Sequence, residues 1–137
     1  MYRKSKQSEP KVMSTAAIDY EAREVAKTKR RLEKWVRKET RGFGDTTEAL
    51  RRISRDSGIP FWTLYRIWQG KAKTVTSGLR EWVADSYVAY CERQLNKAIE
   101  ELRIEKAMNP HADYSDLDDQ VSDLVAKMAA YRANKGA

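Results

Sequence analysis

The chain of 137 residues has one cysteine, one histidine, three prolines, six glycines and no apolar run approaching twenty residues. Each scarcity excludes something. A lone Cys91 cannot close an internal disulfide, and Cys91 with His111 cannot supply the ligand sets of the usual zinc sites. The absence of a long apolar segment argues against a membrane span, and the opening MYRKSKQSEPK lacks the apolar centre of a signal peptide, so a cytoplasmic protein without a membrane partner is expected. No stretch alternates Val, Ile or Thr with polar residues over strand length, which leaves β-structure without support. No glycine-rich phosphate loop is present, and His111 falls in the loop-like NPHADYS, where it reads as a solvated residue rather than an acid–base catalyst. The carboxylates Asp113, Asp116, Asp118 and Asp119 suit the positive end of a helix better than a metal. Neither an enzyme nor a cofactor is therefore expected.

What the chain does have is charge, helix-forming residues and a few crowded aromatics. Hydrophobic residues make up 41% and charged residues 34%, a balance that with few helix breakers favours an all-α protein of about five helices. The net charge of +7 is uneven: residues 1–41 hold 13 basic and 6 acidic side chains, residues 42–75 hold 6 and 3, and residues 76–137 hold 8 and 11. A cationic first half and a mildly anionic second half suit a chain that presents one part to a polyanion and uses the other for assembly.

Periodicity and breakers divide the chain. Residues 1–14 read as a flexible basic arm. Residues 15–44 contain a basic amphipathic helix with Ile18, Ala22, Val25, Leu32, Trp35 and Val36 along one side, ended by Gly42 and Gly44. Its run KTKRRLEKWVRK could follow a phosphate backbone, or pack by its apolar side and leave its charges in water. Asp45 with Glu48 has the D-x-x-E pattern of a capping box opening a second helix, which Gly58 stops. A third helix runs from Pro60 to about Gln69 and ends at Gly70, completing a helix-turn-helix segment over 45–77. Residues 78–137 hold a long helix, with Thr76 or Ser77 as its cap, and a last helix opened by Ser115 with Leu117, Val121, Leu124, Val125, Met128 and Tyr131 as its stripe. Together they form a helical hairpin suited to oligomerisation. In the long helix Val88, Cys91, Leu95, Ala98 and Leu102 approximate a heptad seam, which could join two chains or be filled by the last helix folding back.

The sharpest local feature is LRRISRDSGIPFWTLYRIWQGK, two short helical stretches split by one glycine. Ile53, Ser54, Gly58, Ile59, Leu64 and Ile67 fall where two helices crossing at a tight turn need them: a small residue at the crossing, a glycine for a left-handed backbone, and apolar residues in the wedge. The segment GIPFWTLYRIWQGKAKT resembles the phage-repressor-like (Cro- and XRE-type) helix-turn-helix family through Gly58, Ile59, Thr63, Leu64, Arg66, Ile67, Gly70 and Lys71, covering about residues 48–77. The resemblance implies a third helix lying in the major groove of duplex DNA, with Phe61, Trp62, Tyr65, Arg66 and Gln69 as candidates to touch bases or sugar-phosphate. Thr63, Lys71, Lys73, Thr76 and Ser77 would hold phosphates. The chain departs from the family at Leu50, where a polar phosphate anchor is usual and for which Arg51 could substitute. It departs again at Phe61 and Trp62, which cannot make the bidentate hydrogen bonds that distinguish bases.

Helical spacing divides the aromatics of the third helix into an inward stripe of Phe61, Leu64 and Trp68 and an outward one of Trp62, Tyr65, Arg66 and Gln69. The leading expectation is a bacterial or phage transcriptional regulator that binds duplex DNA as a dimer. A DNA-packaging or replication accessory protein is a second expectation. A third, from another class, is a protein-binding adaptor or inhibitor that engages its partner through Trp62 and Tyr65.

Overall fold

A computed structural model describes residues 15–136. The expected arm over 1–14 lies outside the described residues, as does the side chain of Ile18. The described residues form an all-α fold of five helices: α1 Thr15–Glu39, α2 Thr46–Ser57, α3 Phe61–Trp68, α4 Ser77–Met108 and α5 Ser115–Gly136. None of these helices is long and apolar enough to cross a membrane. The described residues divide into two compact units, one up to Asp85 and one from Ser86, with the boundary inside α4.

In the first unit α1 packs on α2 and α3. It does so by its apolar side. Thr28, Leu32, Trp35 and Val36 recur at three- and four-residue spacing and are all buried, while Ala22, expected on the same stripe, is exposed. Thr28 belongs in the core because its hydroxyl donates to the Glu24 carbonyl one turn earlier at 2.9 Å, leaving its methyl to pack. The basic run of α1 therefore keeps its charges at the surface, where Lys27 pairs with Glu24 and Lys29 with Glu33. Ala49, Leu50 and Ile53 of α2, Ile59 of the turn, Leu64 and Ile67 of α3, and Val75 and Val83 complete the core, each at 2% exposure or less. Burying a side chain of the Val or Leu type contributes about 1.5–3 kcal/mol, so this cluster is the main stabilising element of the unit.

Arg52 ties α1 to α2. Its guanidinium donates to the Glu39 side chain at 3.0 Å, to the Glu39 carbonyl at 2.8 Å and to Asp45 at 2.7 Å. Asp45 also accepts the Arg41 N–H at 2.9 Å. The Arg52 guanidinium, followed by that N–H, holds the Asp45 carboxyl below the ordinary aspartate range. The expected capping box is thus not made. Helix α2 does begin at Thr46, but the Asp45 backbone (φ −92, ψ 8) is not the extended conformation a side-chain cap uses, and Glu48 pairs with Arg51 instead.

In the second unit α5 folds back along α4. Lys106 pairs with Asp118 at 2.7 Å, and Arg132 pairs with Glu92. The residue later in α4 pairs with the one earlier in α5, and the residue earlier in α4 with the one later in α5, as an antiparallel hairpin requires. The Tyr114 hydroxyl lies 2.8 Å from the Asn109 carbonyl and closes the connecting loop.

Candidate nucleic-acid interface

The turn between α2 and α3 is built from three small residues. Gly58 adopts φ 81 and its N–H donates to the Ser54 carbonyl at 2.8 Å, ending α2 in the left-handed manner that glycine permits. Ser54 donates its hydroxyl to the Ile59 carbonyl at 2.6 Å, and Ser57 accepts the Ile59 N–H at 3.1 Å. From the start of α4, Trp82 donates its indole N–H to the Ser57 carbonyl at 3.0 Å, closing the turn from outside. Ile59 is consequently fully buried, and Pro60 flanks α3 as its N-terminal cap residue rather than entering its first turn.

At the other end of α3, Gly70 (φ 76) supplies a second left-handed residue. The Lys71 N–H donates to the Arg66 carbonyl at 3.0 Å and the Gly70 N–H to the Ile67 carbonyl at 3.0 Å, the paired bonds of a Schellman ending. This ending folds the chain back so that Arg66, Lys71 and Lys73 converge with Thr63 and Thr74 around one open cavity of about 350 Å³. The loop floor is fixed by Val75, which is buried, and by Arg80, which donates to the Val75 carbonyl at 2.9 Å. Three cations and two hydroxyls line the cavity and no carboxylate does, an arrangement that attracts an anion with several acceptor oxygens. A second cavity, between the end of α1 and Trp68, is lined by both Glu33 and Arg37 and has no such bias.

Beside the cation cavity lies an aromatic cluster. Phe61 stacks on Tyr65 with ring centres 5.7 Å apart, and Trp62 meets both edge-on at 5.1 and 5.6 Å. The Arg51 guanidinium stands 5.3 Å from the Phe61 ring centre. Trp62 is 69% exposed. This corrects the expected stripes: Leu64 and Ile67 point inward, whereas Phe61 is only half-buried and belongs with Trp62 and Tyr65, because as the first residue of α3 it stacks on the residue one turn later while Arg51 stands over its ring. Trp68, also expected inward, is half-buried.

The eleven residues proposed from sequence for DNA contact thus fall into groups. Arg51, Phe61, Trp62 and Tyr65 form the aromatic cluster, and Thr63, Arg66, Lys71 and Lys73 line the cavity. Gln69 is exposed and ends α3. Thr76 and Ser77 are exposed at the head of α4, where the Thr76 hydroxyl already accepts the Leu79 N–H at 3.1 Å. Leu50, at the departure from the family pattern, is fully buried, so the exposed residue at that place is Arg51. Sequence reasoning missed Thr74; its place directly after Lys73 in KAKT was the available signal. No protein-family model, curated protein or solved structure matches the chain.

Proposed function

We propose that this protein binds duplex DNA through α2 and α3 and does so as a dimer, in the manner of a transcriptional regulator. The observation that carries this reading is the convergence of Arg66, Lys71 and Lys73 with Thr63 and Thr74 around a cavity without a carboxylate, at the end of a short helix with an exposed face. Phosphate oxygens are the acceptors such a set fits, and the exposed aromatic face alongside offers apolar contact to thymine methyl groups or sugar. A role in DNA packaging or replication would use the same contact.

Titration against duplex DNA at several salt concentrations tests the reading. Each phosphate neutralised contributes a slope of about −0.9 in log K against log salt, so three cations give a slope near −3 or steeper. Arg66→Ala weakens binding and shallows that slope by about 1 with the melting temperature unchanged, because Arg66 is exposed. Absent or salt-independent binding refutes the proposal.

Trp62 favours a second reading. At 69% exposure, flanked by Phe61 and Tyr65, it has the form of an aromatic anchor for another protein's pocket. In that case Trp62→Ala abolishes a protein complex and spares DNA affinity.

A further inference from the structure

Resting on the proposed contact between α3 and duplex DNA, we propose that Trp62, held in place by Phe61 and Tyr65, reads thymine by its C5-methyl group. The protein then prefers A·T-rich duplex through apolar contact and not through hydrogen bonds to base edges.

The shape of the exposed face of α3 points to this. Around the helix axis it runs Phe61, Tyr65, Trp62, Arg66 and Thr63. Cations border it on both edges. Arg51 of α2 pairs with Glu48 at 2.5 Å, keeps 56% of its side chain exposed and stands over the Phe61 ring, while Arg66 on the other edge lines the cavity with Lys71 and Lys73. Between these edges lie three rings with centres 5.1, 5.6 and 5.7 Å apart, and Trp62 is the most exposed of them. An apolar strip with positive borders is complementary to a groove rimmed by phosphates. Edge-on contact with both neighbours orients the Trp62 ring before any ligand arrives, so little side-chain freedom is lost on binding.

Chemistry then selects what the strip meets. A reading helix touches base edges with its N-terminal residues, and in α3 these are Phe61 and Trp62, with Tyr65 one turn on. Trp62 has one indole N–H and Tyr65 one hydroxyl, and neither makes the bidentate pairing by which Arg, Asn or Gln tells bases apart. In the major groove the apolar group on offer is the thymine methyl. The edges of a G·C pair show donors and acceptors, which an aromatic surface strips of water without replacing their partners. Gln69, exposed and able to pair with a base, stands about two turns beyond Trp62 at the far end of the helix. The labour divides accordingly: the cation cavity holds phosphate without regard to sequence, and the Trp62 ring supplies the preference.

The test titrates the full chain, by fluorescence anisotropy, with an A·T-rich duplex and with the same duplex carrying uracil for every thymine, so that the methyl groups are the difference. Wild type binds the thymine duplex about fourfold more tightly, the factor that burying one methyl-sized group gives. Trp62→Ala, a change at a side chain 69% exposed, binds the two duplexes alike and keeps the wild-type salt slope, because it removes no cation. Arg66→Ala weakens both duplexes by the same factor and retains the preference. Equal, salt-dependent affinity of wild type for the two duplexes leaves the DNA contact standing and overturns the methyl readout, as does a preference for thymine that survives Trp62→Ala. Absence of binding to either duplex overturns the DNA contact and the methyl readout together.

Discussion

From Thr28 to Val83 the chain buries a connected set of side chains to 2% exposure or less, whereas among the described residues from Ser86 onward only Tyr90 is buried. Both regions are helical and both are rich in apolar residues. The difference is in how many neighbours each helix has. In the first unit α1 lies on both α2 and α3, so an apolar stripe on any one of them is enclosed. In the second, a single helix, α5, folds back along the later part of α4, and apart from Tyr90 the described side chains there stay half-buried or exposed. The best-covered ion pairs belong to the first unit. Arg52 joins Glu39 and Asp45 across two helices with less than a quarter of each side chain exposed, while Arg103 pairs with Glu100 within a single turn in open solvent. Helical propensity alone makes helices, and a third helix makes a core.

The largest expected effect breaks that contrast at its centre. Leu50→Ala removes a fully buried side chain from α2 and costs about 2–5 kcal/mol of stability in urea denaturation. Leu124→Ala, made in a side chain already 48% exposed, costs about 1 kcal/mol or less at concentrations where the chain is monomeric. Equal losses at the two sites would mean that the hairpin has a core of its own. A smaller effect comes from acid. Because the folded carboxyl of Asp45 is held below its unfolded value near 3.8, its contribution is present above that value and is lost as pH falls through the lower, folded one. Wild type therefore loses melting temperature below about pH 4 more steeply than Asp45→Asn. Parallel acid profiles for the two would show that the α1–α2 junction does not depend on this charge.

Much of the first unit is legible in the sequence because its signals are local. Gly58 and Gly70 announce their left-handed turns, and Ile53, Ile59, Leu64 and Ile67 are buried as their spacing around the turn suggests. Asp45 was not legible, since the choice of a carboxylate between a helix N-terminus and an arginine depends on where α1 ends relative to α2. Phe61 failed for a similar reason: stripe geometry cannot know that Arg51 stands over its ring. The resemblance singled out Thr63, Lys71 and Lys73 for phosphate and Arg66 for the outward face, but that these four meet Thr74 around one cavity comes only from the way Gly70 and Val75 fold the loop. In the second unit the stripes were legible and their half-covered state was not, because period reports which face is apolar and says nothing of how many helices meet it.

The smallest expected effect on stability is also the one that separates surface from core most sharply. Trp62 is one of two tryptophans in α3 and 69% of it faces solvent, so its removal takes away ring contacts with Phe61 and Tyr65 but opens no cavity. Trp62→Ala accordingly shifts stability by no more than about 0.5 kcal/mol in urea denaturation, as surface substitutions commonly do. Trp35, of the same residue type but 1% exposed on α1, costs about 3–5 kcal/mol when cut to alanine. A tryptophan whose loss leaves the fold standing is kept for something outside the fold. If Trp62→Ala instead destabilises the protein as much as Trp35→Ala, the ring belongs to the packing of α3, and neither nucleic acid nor a protein partner is needed to account for it.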